Sequence, residues 1–325
     1  MRRLRRLAAL VTALLVTFAA MGTAGASEPC TTVDTSRGEH TAHLVNPGTV
    51  TGDVDGAGCD IAVYFDEAGT VDGAEITVGD RSREHFGVFA DGTSVDVRDA
   101  DLADAFVHIY YADGADGTIE GNTIEAYERG AIVASGGGTH ARIRNNDVLG
   151  DGDREGDGWA QNGIQVSYGA TGVVTDNRVE AHRWGGTGWQ SSGILVFESD
   201  EVQVTGNALD DNEVGVGIES WAWGLTPTSS ADANRVSEND INASGVGISV
   251  ASIAWSLTND DPTADDNKVV NNTVTDTQGD DSIVVSEVDN HDDYDPSTKH
   301  TKLIRNRVDA GVSDGGSESL IQPTF

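Results

Sequence analysis

The chain has 325 residues, a net charge of −34 at pH 7 and only three lysines, Lys268, Lys299 and Lys302. The charge argues strongly against nucleic acid as a partner, because its phosphates require Lys and Arg. The charge also disfavours a polyanionic glycan without a bridging cation, and suits a protein kept soluble in salt.

Residues 1–26 read as a signal peptide. Arg2, Arg3, Arg5 and Arg6 precede an apolar run from Leu7 to Ala20, and Ala24-Gly25-Ala26 forms a small-residue cleavage site. The run is shorter than the ~20 apolar residues a membrane span needs, and no later segment reaches that length. The expected product is a secreted, extracellular protein with no membrane span. Its charge is −38, from −34 less four arginines and no acids. Residues 27–47 form an N-terminal cap segment, and 48–325 the repeat domain. The cysteines, Cys30 and Cys59, are expected to pair in an oxidising compartment.

The body of the chain is repetitive. "GTIEGNTIEA" begins at 117, "ARIRNNDVLG" at 141, "GVVTDNRVEA" at 172 and "VQVTGNALDD" at 202. "NRVSENDINA" begins at 234, "NKVVNNTVTD" at 267 and "TKLIRNRVDA" at 301. The shared Asn falls at 122, 146, 177, 207, 239, 272 and 306, with steps of 24, 31, 30, 32, 33 and 34. "GTVDGAEITV" (69–78) and "VDVRDADLAD" (95–104) are the same unit with Ala74 and Ala100 at the Asn place. A second apolar element recurs between Asn units, as in "GAIVAS" at 130, "SGILVFES" at 192 and "VGVGIES" at 214. Units of this kind bury their apolar side only by stacking, each backbone group pairing with the next coil at about 4.8 Å. The Asn side chains are expected to stack as a ladder at a tight turn.

The Asn row and the G-[IV]-x-[VI] strands resemble a right-handed parallel β-helix of the pectin-lyase-like superfamily. The resemblance implies an all-β, single-stranded right-handed parallel β-helix with about nine to ten coils. It does not imply one activity, because the fold hosts lyases, hydrolases, epimerases and non-catalytic proteins. The GHG and RIK motifs of polygalacturonase-like enzymes are absent. "HDDYDP" at 291–296 lacks the glycine and histidine of the alginate-epimerase pattern.

Strand parity assigns two outward rows to the second element. One holds His108, Ile132, Gln165, Leu195, Gly217, Gly247 and Val284; the other Tyr110, Ala134, Ser167, Phe197, Glu219, Ser249 and Ser286. Glu219 is then the floor carboxylate, and Glu198 or Asp200 is the second acid a glycoside hydrolase requires. His182 and Arg183 are the base and charge clamp a polysaccharide lyase would use. Trp159, Trp184, Trp189, Trp221, Trp223 and Trp255 all lie outside the Asn units and suggest a carbohydrate-binding trough. Asp151, Asp153 and Glu155 resemble the start of a calcium loop, without the bidentate Glu or flanking helices. Ca²⁺ is the one cofactor suggested. The expected function is recognition of an extracellular polysaccharide by a monomer, with lyase or hydrolase chemistry as the alternative. The C-terminal "GGSESLIQPTF" carries no sign of a trimerising end.

Overall fold

The computed structural model describes residues 29–154, 160–185, 190–222, 229–242, 245–254, 262–277, 280–289, 298–316 and 319–322. Among them the chain forms strands and no helix. Three sheets of twelve, eleven and ten strands run the length of the molecule, and each strand pairs with its counterpart one coil away. All these pairings are parallel, except that Thr31–Thr35 and Gly38–Val45 form an antiparallel hairpin.

Inward residues stack on their own kind. Ile109, Ile132, Ile164 and Ile194 are successive register partners in the twelve-stranded sheet, and Val216, Ile248 and Ile283 continue the file. All are fully buried in a core that extends from Val50 to Leu303. Beside them runs a corner row of small residues. A Cβ at Gly163 would lie 2.6 Å from the Gly193 carbonyl oxygen, and one at Gly215 2.5 Å from that of Gly247. Only glycine permits this approach between coils.

The Asn ladder forms along the turn between the two shorter-strand sheets. Asn146 donates from its backbone N–H (3.0 Å) and Nδ2 (2.9 Å) to Asn177 Oδ1, and from Nδ2 to the Ile119 carbonyl (3.0 Å). The same coil-to-coil bonds link Asn122 to Asn146, Asn177 to Asn207, Asn207 to Asn239, Asn239 to Asn272 and Asn272 to Asn306. The residue before each ladder Asn turns left-handed: Asn145, Asp176, Glu238, Asn271 and Arg305 have φ between 53° and 60°. Asp99 (φ 50°) and Gly73 (φ 65°) precede Ala100 and Ala74 in the same way, so those alanines do occupy the Asn place. The ladder begins where Ala100 N–H meets Asn122 Oδ1 at 2.9 Å.

Three positions of the outward rows are corrected. Ile132 and Ala134 point into the core, and Gly247 sits in the small corner row. A fourth, His108, is fully buried, with Nε2 2.8 Å from the Glu125 carbonyl. The outer rows are Tyr110, Val133, Gln165, Leu195, Gly217, Ser249 and Val284, and Ser135, Ser167, Phe197, Glu219, Ala251 and Ser286. "GAIVAS" is apolar at either parity, so alternation alone did not fix its phase.

The N-terminal segment is a hairpin, tied to the first coils by the Cys30–Cys59 disulfide (Cα–Cα 5.7 Å). Its second strand continues the twelve-stranded sheet through Ala42, Leu44 and Val45. Val33 and Ala42 pack with Tyr64, Phe86, Phe89 and Tyr110 on the outer side of that sheet.

The ladder predicts a graded sensitivity. Asn177→Ala removes a buried acceptor shared by two donors and is expected to cost roughly 3 kcal/mol. Asn242→Ala removes only an exposed bond to Asp210 and is expected to stay within about 0.5 kcal/mol. Urea unfolding midpoints check both; equal shifts would refute the ladder's role.

Candidate functional site

The outer face of the twelve-stranded sheet runs through the register partners Val133, Gln165, Leu195 and Gly217, of which Gln165 is partly exposed and the other three are buried. Gln165 is held along this face, accepting from Asn162 Nδ2 (3.1 Å) and donating to Ser167 Oγ (3.0 Å). Glu219 rises from the next row and its carboxyl folds back over Gly217. A Cβ there would lie 3.2 Å from Glu219 Oε1, so the missing side chain makes room for the acid.

Tyr168 and Glu198 occupy one corner column, directly after the paired residues Ser167 and Phe197. Gly136 holds the same place one coil before Tyr168, with φ 93°. Tyr168 (φ 56°) and Glu198 (φ 48°) adopt the left-handed conformation without being glycine. Such positions are uncommon for an aromatic side chain and tend to be kept where the side chain is used. The Tyr168 ring leans over the sheet, edge-on to Phe197 (5.4 Å), and Phe197 meets Trp221 at 5.9 Å. Tyr168 is 51% exposed, the most open aromatic side chain among the described residues.

The two carboxyls flank Trp221. Burial pushes the Glu219 carboxyl up to about 7, with the Trp221 side chain opposing the shift. Burial likewise pushes Glu198 up to about 7, against hydrogen bonds from Ser229 and the Trp221 backbone. Ser229 Oγ lies 3.3 Å from Glu198 Oε1 and 3.0 Å from the Trp221 carbonyl. Neither acid is shifted by the other's charge; desolvation dominates both. Burial raises Tyr168 too, as does Glu198, while Arg129 and Arg37 pull it back.

The other expected site residues lie elsewhere. His182, on a strand of the ten-stranded sheet, is fully buried within the flank, which removes it as an accessible base. Asn212 Oδ1 accepts from His182 Nδ1 (2.8 Å), since the Asn212 amide donates to Val179 O (3.0 Å). His182 Nε2 therefore accepts from the Tyr127 hydroxyl. Burial holds His182 at about 4, so it is neutral. Arg183 pairs with Asp211 on the same flank. Asp200 caps a ladder of acids, accepting the Asp232 N–H (2.7 Å) as Asp232 accepts that of Asp265 (2.6 Å).

Trp221 is 8% exposed and packed, which corrects its place as an open sugar platform. Trp184 ends the strand Arg178–Trp184 of the ten-stranded sheet. Trp159, Trp189, Trp223 and Trp255 lie outside the described residues. The Glu213 carboxylate accepts from Trp184 N–H (3.1 Å) and Ser191 N–H (2.8 Å), clamping the two stems of the intervening loop. In the acidic loop, Asp151 is engaged by Arg81, whereas the Asp153 side chain and Glu155 lie outside the described residues. No cluster of three or more metal-ligating side chains occurs among the described residues.

These features define a parallel β-solenoid with two buried carboxyls, Glu198 and Glu219, at its long-stranded face. Residues 86–293, more than half of the chain, match the family described as right handed beta helix region, and the chain belongs to that family. No curated protein matches the sequence. Among solved structures, the chain is similar to DFA-IIIase from Arthrobacter chlorophenolicus A6 without its lid in complex with GF2. That likeness has 18% identity over 82% of this chain and 72% of the other, with a TM-score of 0.48. The same enzyme in complex with DFA-III matches at 15% identity, 87% and 72% coverage and TM-score 0.42. The A-module of a mannuronan C-5 epimerase from Azotobacter vinelandii matches at 11%, 87% and 82%, and 0.39.

The buried acids have a defined pH signature. Glu219 binds its proton more tightly folded (about 7) than its ordinary value of 4.5 allows. Its protonated form therefore stabilises the fold fully below pH 4.5, and that contribution is lost as pH rises to 7. Glu219→Gln, which cannot ionise, should gain on wild type as pH rises between those limits, by roughly 3 kcal/mol in all, and keep that full gain above them. Urea unfolding across pH 4.5–8 checks this, and a flat difference would refute the shift.

Proposed function

We propose that the protein works outside the cell, binds a polysaccharide at its long-stranded face and hydrolyses it. The observation that carries this reading is that Glu219 meets the side chain of Trp221 and Glu198 its backbone, with burial raising both carboxyls to about 7. Hydrolysis of a glycosidic bond needs one carboxyl protonated to assist the leaving oxygen and one ionised to activate water or attack the sugar. Groups that titrate near 7 supply both states at neutral pH. Glu219, lying over Gly217, is assigned the acid role. Glu198, at the edge and hydrogen-bonded to Ser229, is assigned the base role. Tyr168 offers an open ring face to the apolar C–H side of a sugar. The disulfide accords with an oxidising exterior.

Lyase chemistry has less support, because His182 is sealed in the flank and Arg183 is paired with Asp211. A binding module without chemistry is the second reading. It is favoured by the hydrogen bonds that already satisfy Glu198, since structural carboxyls are held in the same way.

The test is a reducing-end assay of the mature protein on inulin, xylan, mannan, pectate and alginate. New ends on at least one glycan are expected. Glu219→Gln should lower kcat by about 10²–10⁴-fold, with glycan binding retained. Binding without cleavage by the wild type would establish the second reading instead.

A further inference from the structure

The basic groups of the chain are unevenly placed. Upstream, arginines of the two shorter-strand sheets meet carboxylates: Arg98 pairs with Asp96 (2.8 Å), Arg144 with Glu120 (2.7 Å) and Arg178 with Asp147 (3.1 Å). The last coils differ. All three lysines lie there, and residues 299–307, "KHTKLIRNR", hold four Lys and Arg and no acid in a chain of net charge −34.

Arg235, Lys268 and Lys302 open three successive strands of the eleven-stranded sheet, Arg235–Ser237, Lys268–Val270 and Lys302–Ile304, and are direct register partners. The residues that follow them, Val236, Val269 and Leu303, are fully buried, so alternation turns the three cations outward. They stand one above another at about 4.8 Å per coil. Lys268 is exposed and the other two partly exposed; Arg305 and Arg307, both exposed, extend the basic area around the last coil. None of these five forms a salt bridge among the described residues. The acids flanking them are turned to other partners or stand alone. Asp266 lies 3.8 Å from His300, Asp309 accepts from Ser282 Oγ (3.2 Å), and Glu238 pairs with none of the five.

Like charges directly opposite in a sheet destabilise it. An external anion offsets that cost and takes up the free N–H donors. The regular step calls for anions repeated along a line, which a linear polymer offers and a folded acidic protein does not. The next outward row runs through Ser237, Val270 and Ile304, and the last two are partly exposed, giving an apolar strip that sugar C–H faces can cover. The net charge opposes acidic ligands elsewhere on the surface. Exposed charges are screened beyond about 8–10 Å in physiological salt, so the column governs what lies against it.

We infer that this column is a second binding surface, for a polysaccharide bearing carboxylate or sulfate groups, with its anions on Arg235, Lys268 and Lys302. It belongs to a different sheet from Glu219 and does not depend on hydrolysis. A protein held there on an acidic glycan keeps its long-stranded face free.

The test uses the mature Glu219→Gln protein, so that polymer is not cut during the measurement. It is titrated at low salt with pectate, alginate and dextran sulfate, with xylan and a single-stranded oligonucleotide as references. At least one acidic glycan is expected to bind, with affinity that falls as salt is raised. Lys268→Gln combined with Lys302→Gln should weaken that binding about tenfold and flatten its salt dependence. Arg144→Gln, at a paired cation of the same sheet, should change it by less than about twofold. No binding to any acidic glycan, an unchanged double variant, or an equal loss with Arg144→Gln overturns the inference. An oligonucleotide bound as tightly as the glycans also overturns it, leaving an unselective anion patch. Self-association at low salt that the double variant abolishes overturns it too, and assigns the column to the acidic surface of a second copy.

Discussion

Everything in this molecule depends on coils staying in register. Backbone pairing between coils would tolerate a slip, since any parallel strand offers the same row of donors and acceptors. The Asn ladder does not. Each ladder side chain bonds the next Asn and a backbone carbonyl of the preceding coil at once, as Asn146 bonds Asn177 and Ile119. A slip of one residue would bury those amides without partners, at a cost of about 1–3 kcal/mol each. The same bonds offset the left-handed turn that must precede every ladder residue, a conformation that Asp176, Glu238 and Arg305 adopt at some strain.

Fixed register turns the surface into columns. One corner column runs through Asp113, Gly136, Tyr168 and Glu198, all left-handed, and at Tyr168 and Glu198 the turn carries a large side chain at the edge of the sheet. The outer row holds large residues at Tyr110 and Leu195, yet Gly217 leaves the hollow into which Glu219 folds. One substitution in a column therefore moves one group while the coil beneath it stays unchanged. The flank works oppositely. Tyr127, His182 and Asn212 form a closed chain of hydrogen bonds in the interior, each polar atom answered, and reach no solvent.

The fold was legible because its two signals are unambiguous: an Asn at steps near 31 residues, and Val/Ile files of period two. Phe197 and Glu219 were legible by parity, because "SGILVFES" and "VGVGIES" each end in an aromatic or acidic residue that fixes the phase. His182 was misplaced because a His beside an Arg in a long segment looks like surface, and only the pairing of Arg178–Trp184 with its neighbours shows the ring turned inward. The hairpin's cover was written in the sequence and passed over. "AFVHIYYA" is apolar at both parities, and its strand is buried at every position. A continuous apolar run signals a sheet covered on both faces. Tyr168 left no such mark, since its exposure depends on a turn conformation that sequence spacing does not encode.

The site's electrostatics sit apart from those of the surface. The chain carries −34 overall, and exposed charges of this kind are screened beyond about 8–10 Å in physiological salt. If the raised values of Glu198 and Glu219 came from that acidic field, salt would return both toward ordinary carboxylates. They come from burial beside Trp221 instead. Desolvation is not screened by ions that cannot enter the pocket. The two carboxyls therefore keep their raised proton affinity across salt concentrations that change the surface field greatly, and the acidic exterior does not set it.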